Sequence, residues 1–293
     1  MNARKIVTAS LAASLGTLML ALGGPAAAED PYNISANIGA VSNYMWRGVT
    51  QTQDGAAVQG GLDFTHSSGF YIGTWASNVD FNDEGGSQEV VILADPTTAS
   101  GFAEDADGNL IGTTAGSSNP SSPNYEVDFY LGFGGNITED LSYDLKGIYY
   151  AYPDGRDSNF AEIGGSMTFK WITLGLAYTV YGENDDGLFD NGDLYYYGGF
   201  EYGDLPFGLS FSARGGYYDF ENSDIVIGSA FNTSINDFVD VTETADYWHY
   251  GASISKDAGD FGTFSLNWDQ NSGKKEVGYD NDPKIWVGWL KEF

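Results

Sequence analysis

Stretches of about ten residues in which every second side chain is apolar recur along this chain, and they restrict its fold more than any other feature. Tyr125, Val127, Phe129, Leu131 and Phe133 alternate with Glu126, Asp128, Tyr130, Gly132 and Gly134. Leu141, Tyr143, Leu145, Gly147 and Tyr149 share one parity, while Ser142, Asp144 and Lys146 hold the other. Ile163, Met167, Phe169 and Trp171 alternate with Glu162, Ser166, Thr168 and Lys170, and Leu209, Phe211 and Ala213 with Ser210, Ser212 and Arg214. A period of two is the repeat of a strand with one apolar and one polar face.

Twelve such segments are predicted, at 33–47, 55–66, 69–80, 124–135, 141–152, 160–171, 173–182, 193–203, 207–219, 245–256, 262–271 and 283–293. Each is near the ~9–11 residues that a tilted strand needs to cross a bilayer. An even number returns both ends to the same side, as in single-chain bacterial barrels. The connections also alternate. Short turns fall at 66–68, 135–140, 171–172, 203–206 and 256–261, and longer or acidic loops at 48–54, 81–123, 153–159, 183–192, 220–244 and 272–282. Short periplasmic turns opposite long outer loops are the layout of an outer-membrane barrel. A soluble β-sandwich also has many short strands, but nothing in it demands a long acidic loop at every second connection.

Composition agrees with this. The 293 residues include 40 glycines and 15% aromatics but only 18% charged residues. With 41 acids against 12 Lys and Arg, nucleic acid is not expected as a partner, since phosphate neutralisation needs clustered cations. The absence of cysteine removes thiol catalysis, iron–sulfur clusters and disulfides.

Residues 1–28 read as a cleaved secretory signal peptide. Arg4 and Lys5 precede an apolar run from Ile6 to Leu22, then Gly23-Gly24-Pro25 and Ala26-Ala27-Ala28. Cleavage after Ala28 leaves 29–293 as one barrel domain, two units more negative than the precursor. No later segment approaches ~18 consecutive apolar residues, so no membrane helix is expected. Trp46, Trp75 and Trp248 fall at predicted outer strand ends and Trp171 at a periplasmic end, as interfacial girdles require.

Ser42-Asn43-Tyr44-Met45-Trp46-Arg47-Gly48-Val49-Thr50-Gln51-Thr52, with Val58-Gln59-Gly60-Gly61-Leu62-Asp63 and the run Gly69 to Asp80, resembles the TorF family of outer-membrane proteins assigned as porins. The resemblance continues through Glu126 to Tyr130 and the last strand. It implies an outer-membrane β-barrel and brings no catalytic residues. The final parity Ile285, Val287, Trp289, Phe293 resembles the signal by which the outer-membrane assembly machinery recognises barrels, with Lys291 as a departure.

Charges on the polar parity of the strands are the candidate lumen lining: Arg47, Asp63, Glu126, Asp128, Asp144, Lys146, Glu162, Lys170, Glu201, Arg214 and Asp269. Facing lipid near the midplane they would cost ~2–4 kcal/mol each, the acids somewhat less, so their alternation with apolar residues fixes which face is inside. Neither metal nor cofactor is expected. Asp105-Ala106-Asp107-Gly108-Asn109 lacks the spacing of a calcium loop, and the acids Glu183, Asp185, Asp186, Asp190 and Asp193 read as solvated charge. The two histidines, His66 and His249, are the candidate general bases of an enzyme, and there is no nucleophile elbow.

The function expected is passive diffusion of small hydrophilic solutes across the outer membrane, with a weak preference for cations and no catalysis. Outer-membrane lipid and lipopolysaccharide would surround the barrel. The alternatives are a plugged structural or adhesive barrel acting through its loops, and an outer-membrane enzyme.

Overall fold

The computed structural model describes residues 31–81, 88–92, 112–116, 122–184, 187–232 and 237–293. The signal-peptide segment, most of 81–123, and Asp185 and Asp186 lie outside the described residues.

Twelve strands form the wall: β1 (Tyr32–Val41), β2 (Ala57–His66), β3 (Phe70–Asn78), β4 (Tyr125–Asn136), β5 (Leu141–Ala151), β6 (Phe160–Phe169), β7 (Ile172–Gly182), β8 (Leu194–Leu205), β9 (Leu209–Asp219), β10 (Tyr247–Asp257), β11 (Thr263–Asn271) and β12 (Lys284–Glu292). Every strand pairs antiparallel with its neighbours in sequence, and β1 pairs with β12, so the sheet closes as an up-and-down barrel. The seam runs from Val41 opposite Gly288 to Asn37 opposite Glu292. Phe293 extends it by donating its N–H to the carbonyl of Ala36 at 2.9 Å. Closure leaves no free edge, which is the condition for strands to stand in lipid.

The two faces carry opposite chemistry. Leu131, Leu145, Ile163, Leu174 (66% exposed), Leu266 and Ile285 (75% exposed) stand on the outside, as do many other large apolar side chains. Glu126, Asp128, Glu162 and Asp269 are buried inside. A water-soluble domain has the reverse arrangement, so the exterior is built for hydrocarbon.

Inside, tyrosine rings lie flat across glycines of the neighbouring strand. A Cβ on Gly73 would come within 2.5 Å of the Tyr130 ring, and one on Gly132 within 2.2 Å of Tyr71. The glycines let the rings lie down against the wall rather than block the interior.

The short turns fall close to their predicted places, and two small hairpins form two-stranded sheets of their own, Gln88–Ile92 with Gly112–Gly116 and Asp224–Asn232 with Asp237–Thr244. Several expectations need correction at the first loop and one turn. The first strand ends at Val41, not at 47, and residues 42–56 turn inward. Trp46 is not in a lipid girdle but buried in the interior, 6% exposed. Trp75 also faces inward and packs edge-on against Tyr44. Trp171 and Trp248 do stand outside. Lys170 sits in the left-handed position of the turn between β6 and β7, beside Asp140, and not in the lumen.

Candidate functional site: the lumen and its inward hairpin

The strands deliver most of the predicted charges to one interior. Asp63 comes from β2, Glu126 and Asp128 from β4, Asp144 and Lys146 from β5, Glu162 from β6, Glu201 from β8, Arg214 from β9 and Asp269 from β11. Arg47 arrives differently, on a hairpin of the first loop. Met45–Trp46 pairs with Val49–Thr50 around a two-residue turn. Arg47 and Gly48, at the turn, have φ of 48° and 78°. Positive φ at both central positions gives the tight turn whose twist matches a β-ribbon.

The loop holds its own shape through polar contacts. The Thr50 hydroxyl donates to Asn43 Oδ1 at 2.6 Å, the Thr52 hydroxyl to the Gly55 carbonyl at 2.6 Å, and Asn43 Nδ2 to Asp54 Oδ1 at 2.7 Å. Its outer base is tied to the rim by Lys284, which bridges Asp54 and Asp280. That ammonium holds the Asp280 carboxyl below its ordinary range.

The hairpin tip lies across the barrel. Arg47 Nη1 and Nη2 donate to Glu162 Oε1 and Oε2 at 2.8 and 2.6 Å. Its guanidinium carbon stands 3.9 Å from the Tyr195 ring centre and 4.2 Å from that of Trp46. Trp46 meets Tyr150, Phe160, Phe189 and Tyr218 with ring centres 5.6–6.1 Å apart. On the far side Asn271 Nδ2 donates to the Gly48 carbonyl at 2.8 Å. The hairpin therefore touches β5, β6, β8, β9 and β11. Burying a side chain the size of Trp46 is worth roughly 1.5–3 kcal/mol, and a desolvated cation over an aromatic face about 2 kcal/mol. The seat is a defined bound position.

Below the tip, Arg47, Asp144, Lys146, Tyr150, Glu162 and Tyr197 are among the residues that line a cavity of about 20 Å³, room for about one water molecule. Other interior acids take tyrosine donors: Tyr71 Oη donates to Asp144 Oδ1 at 2.9 Å and Tyr130 Oη to Asp63 Oδ1 at 2.5 Å. Arg214 Nη2 donates to both oxygens of Asp269, at 2.7 and 2.5 Å, and Trp286 Nε1 donates to the same carboxylate at 2.7 Å. Neither histidine has a carboxylate partner among the described residues. His249 Nε2 is 2.8 Å from the Tyr195 hydroxyl, and His66 Nδ1 is 2.8 Å from the Ser68 hydroxyl.

The aromatic seat of Tyr44, Trp46, Tyr195 and Tyr218 was not identified from sequence. The available signal was the Arg47-Gly48 pair between two apolar residues, a two-residue turn inside what otherwise reads as one long strand.

The class of molecule is thus a closed twelve-stranded antiparallel barrel with an apolar exterior and a charged interior crossed by its first loop. The chain belongs to the Gcw_chp family of bacterial proteins of unknown function, whose model matches residues 25–282. Among solved structures, the KdgM porin is similar at 6% identity, covering 88% of this chain and 98% of its own, with a TM-score of 0.46. The NanC porin is similar at 8% identity, covering 88% and 98%, with a TM-score of 0.43. The outer membrane protein OprD from Pseudomonas aeruginosa has 9% identity, covering 90% and 94%, with a TM-score of 0.37. No curated protein matches the chain.

Proposed function

We propose that this protein is an outer-membrane channel for small hydrophilic solutes, non-catalytic, and constricted by the hairpin of residues 42–56. The observation that carries this reading is the inverted sidedness of a closed wall, charges inside and hydrocarbon outside. Such a wall supplies a polar path through lipid. The sequence resemblance to the TorF family of porins supports the same reading. The segment 1–28 is its export signal, and the strand ending at Phe293 its contact with the assembly machinery. Lipid and lipopolysaccharide are its surroundings.

The interior favours cations weakly. Arg47 and Arg214 are spent on Glu162 and Asp269, and Glu126 and Asp128 are fully buried, which leaves the partly exposed Asp63, Asp144 and Glu201 against Lys146. An acidic wall in a water-poor passage raises the local concentration of cations.

Single-channel recording of the refolded, detergent-purified protein tests the reading. Small discrete steps are expected, with a reversal potential under a salt gradient that reports cation preference. Anion preference would remove the selectivity claim. A silent bilayer, for the wild type and for a chain lacking residues 43–54, would favour the plugged structural barrel, which the seated hairpin also supports.

A further inference from the structure

Two carboxyl groups lie sealed beneath the hairpin. Glu126 and Asp128 stand two apart on β4, so both point inward, and they are 1% and 0% exposed. Their carboxyls are hydrogen-bonded to each other. The hairpin closes over them through the buried Tyr44, whose hydroxyl donates to Glu126 Oε1 at 3.4 Å and whose ring packs edge-on against Trp75. From β5, Tyr152 donates to Glu126, Tyr150 stands opposite Asp128 in register, and Lys146 acts on Asp128 at a distance. From β3 come Trp75 and Ser77, which do not titrate. Glu162 of β6 adds negative charge near Asp128 and is itself taken by Arg47. No ion pair among the described residues includes Glu126 or Asp128.

A hydrogen bond between two carboxyl groups exists only while one of them carries a proton, because two carboxylates offer acceptors and no donor. Like charges that close cannot both ionise away from water, and the loss of hydration costs several kcal/mol per buried ion. Tyrosine hydroxyls supply dipoles but no charge. Full ionisation of the pair therefore needs water, and on the lumen side Tyr44 and the hairpin that carries it keep water out. A seated hairpin and a fully ionised pair exclude each other.

We propose that Glu126 and Asp128 form a proton-operated latch: the hairpin of residues 42–56 stays seated while the pair shares one proton, and lifts once that proton is lost to solvent. With the hairpin lifted, both acids are hydrated and ionise as ordinary carboxylates, so unseating releases one proton. The equilibrium constant for unseating then rises about tenfold per pH unit above the ordinary carboxylate range. The consequence for flux, a conductance that grows with pH, rests on the channel reading; the latch itself does not.

The chain has no cysteine, so Met45→Cys places a single thiol on the hairpin, at a position 2% exposed. The test follows maleimide labelling of the refolded mature barrel from mildly acidic to mildly alkaline pH. Each rate is divided by that of the chain kept unfolded in urea at the same pH, which removes the titration of the thiol itself. The ratio should climb about tenfold per pH unit. Adding Glu126→Gln or Asp128→Asn keeps a donor between the two side chains and the charge of the protonated pair, so the ratio should stay low and flat. Adding Tyr44→Phe or Asp193→Asn should leave the climb in place, which rules out the phenol and the rim acid as its source. A ratio that is flat or falls as pH rises overturns the proposal, as does a climb that survives either amide variant. Where Met45→Cys fails to fold, the emission of Trp46 in the unsubstituted barrel, taken as the difference from Trp46→Phe, decides. It should move to longer wavelength as pH rises, and an unchanging emission overturns the latch. A silent bilayer with a climbing ratio sinks the channel and leaves the latch, and a conducting barrel with a flat ratio does the reverse.

Discussion

Arg47, at the tip of the first loop, and Glu162, near the outer end of β6, are 115 positions apart in sequence and joined by two parallel hydrogen bonds of 2.8 and 2.6 Å. The planar guanidinium matches a carboxylate in this two-pronged way, and both side chains are withdrawn from water. Removing either partner leaves a buried charge alone, which costs about 3–5 kcal/mol. Replacing both with apolar groups of similar volume costs far less. Arg47→Ala and Glu162→Gln are therefore each expected to unseat the hairpin, lower Tm and raise single-channel conductance. Arg47→Met with Glu162→Leu should recover much of the Tm. Equal and additive losses in a double-mutant cycle would show that the pair does not hold the hairpin.

Gly48 tests the same seat without touching a charge. Its φ is +78°, and a Cβ there would lie 2.5 Å from the Cβ of His249. Gly48→Ala combines backbone strain with a collision against the wall, so the tip cannot settle. The expected result is a protein that still closes its barrel and migrates as a folded band. Its conductance should be raised, and the tryptophan fluorescence of Trp46 should shift toward that of a wetter environment. Wild-type conductance and fluorescence would place the tip elsewhere.

The wall predicts a different response. Gly73→Ala would push a methyl group to within 2.5 Å of the Tyr130 ring, forcing that ring off the wall and away from Asp63. Overpacking of this kind costs typically 1–3 kcal/mol. A fall in Tm is expected, partly recovered by adding Tyr130→Ser, which removes the ring. An additive double variant would mean that the ring and the glycine do not meet.

How much of this was legible in the sequence divides along the same line as these variants. The wall was legible because a barrel strand repeats every two residues, and Tyr125 to Phe133 or Leu141 to Tyr149 can satisfy lipid on one side only one way round. Glu126, Asp128, Asp144 and Glu162 followed from that parity. The hairpin was not legible, because Tyr44 and Trp46 keep the period of β1 and resemble interfacial aromatics until something shows that the chain has turned at Ser42. What partners the charges take was also out of reach. Parity says that Glu162 and Asp128 both face inward, yet only the path of the first loop gives one an arginine and leaves the other without one. Lys170 lay one residue beyond the end of its strand, where parity stops carrying information.

The last prediction concerns pH and the outer rim. Asp193 precedes β8, and burial pushes its carboxyl up to about 6, against the pull of backbone donors such as the Glu221 N–H, 2.9 Å from Oδ1. An unfolded aspartate titrates near ~3.9. Between those two values the folded chain binds more protons at this site than the unfolded chain, so the contribution of Asp193 to stability falls as pH rises through the window. Above about 6 its penalty is complete and constant. The Asp193 side chain is fully buried, so solvent screens the effect little. Asp193→Asn retains an oxygen for the Glu221 N–H and removes the titration. The variant should therefore match the wild type near pH 4 and exceed it in Tm at neutral pH. The gap between them should open from pH 4 to 6. Parallel Tm-versus-pH curves across that range would show that Asp193 is solvated like any surface carboxylate.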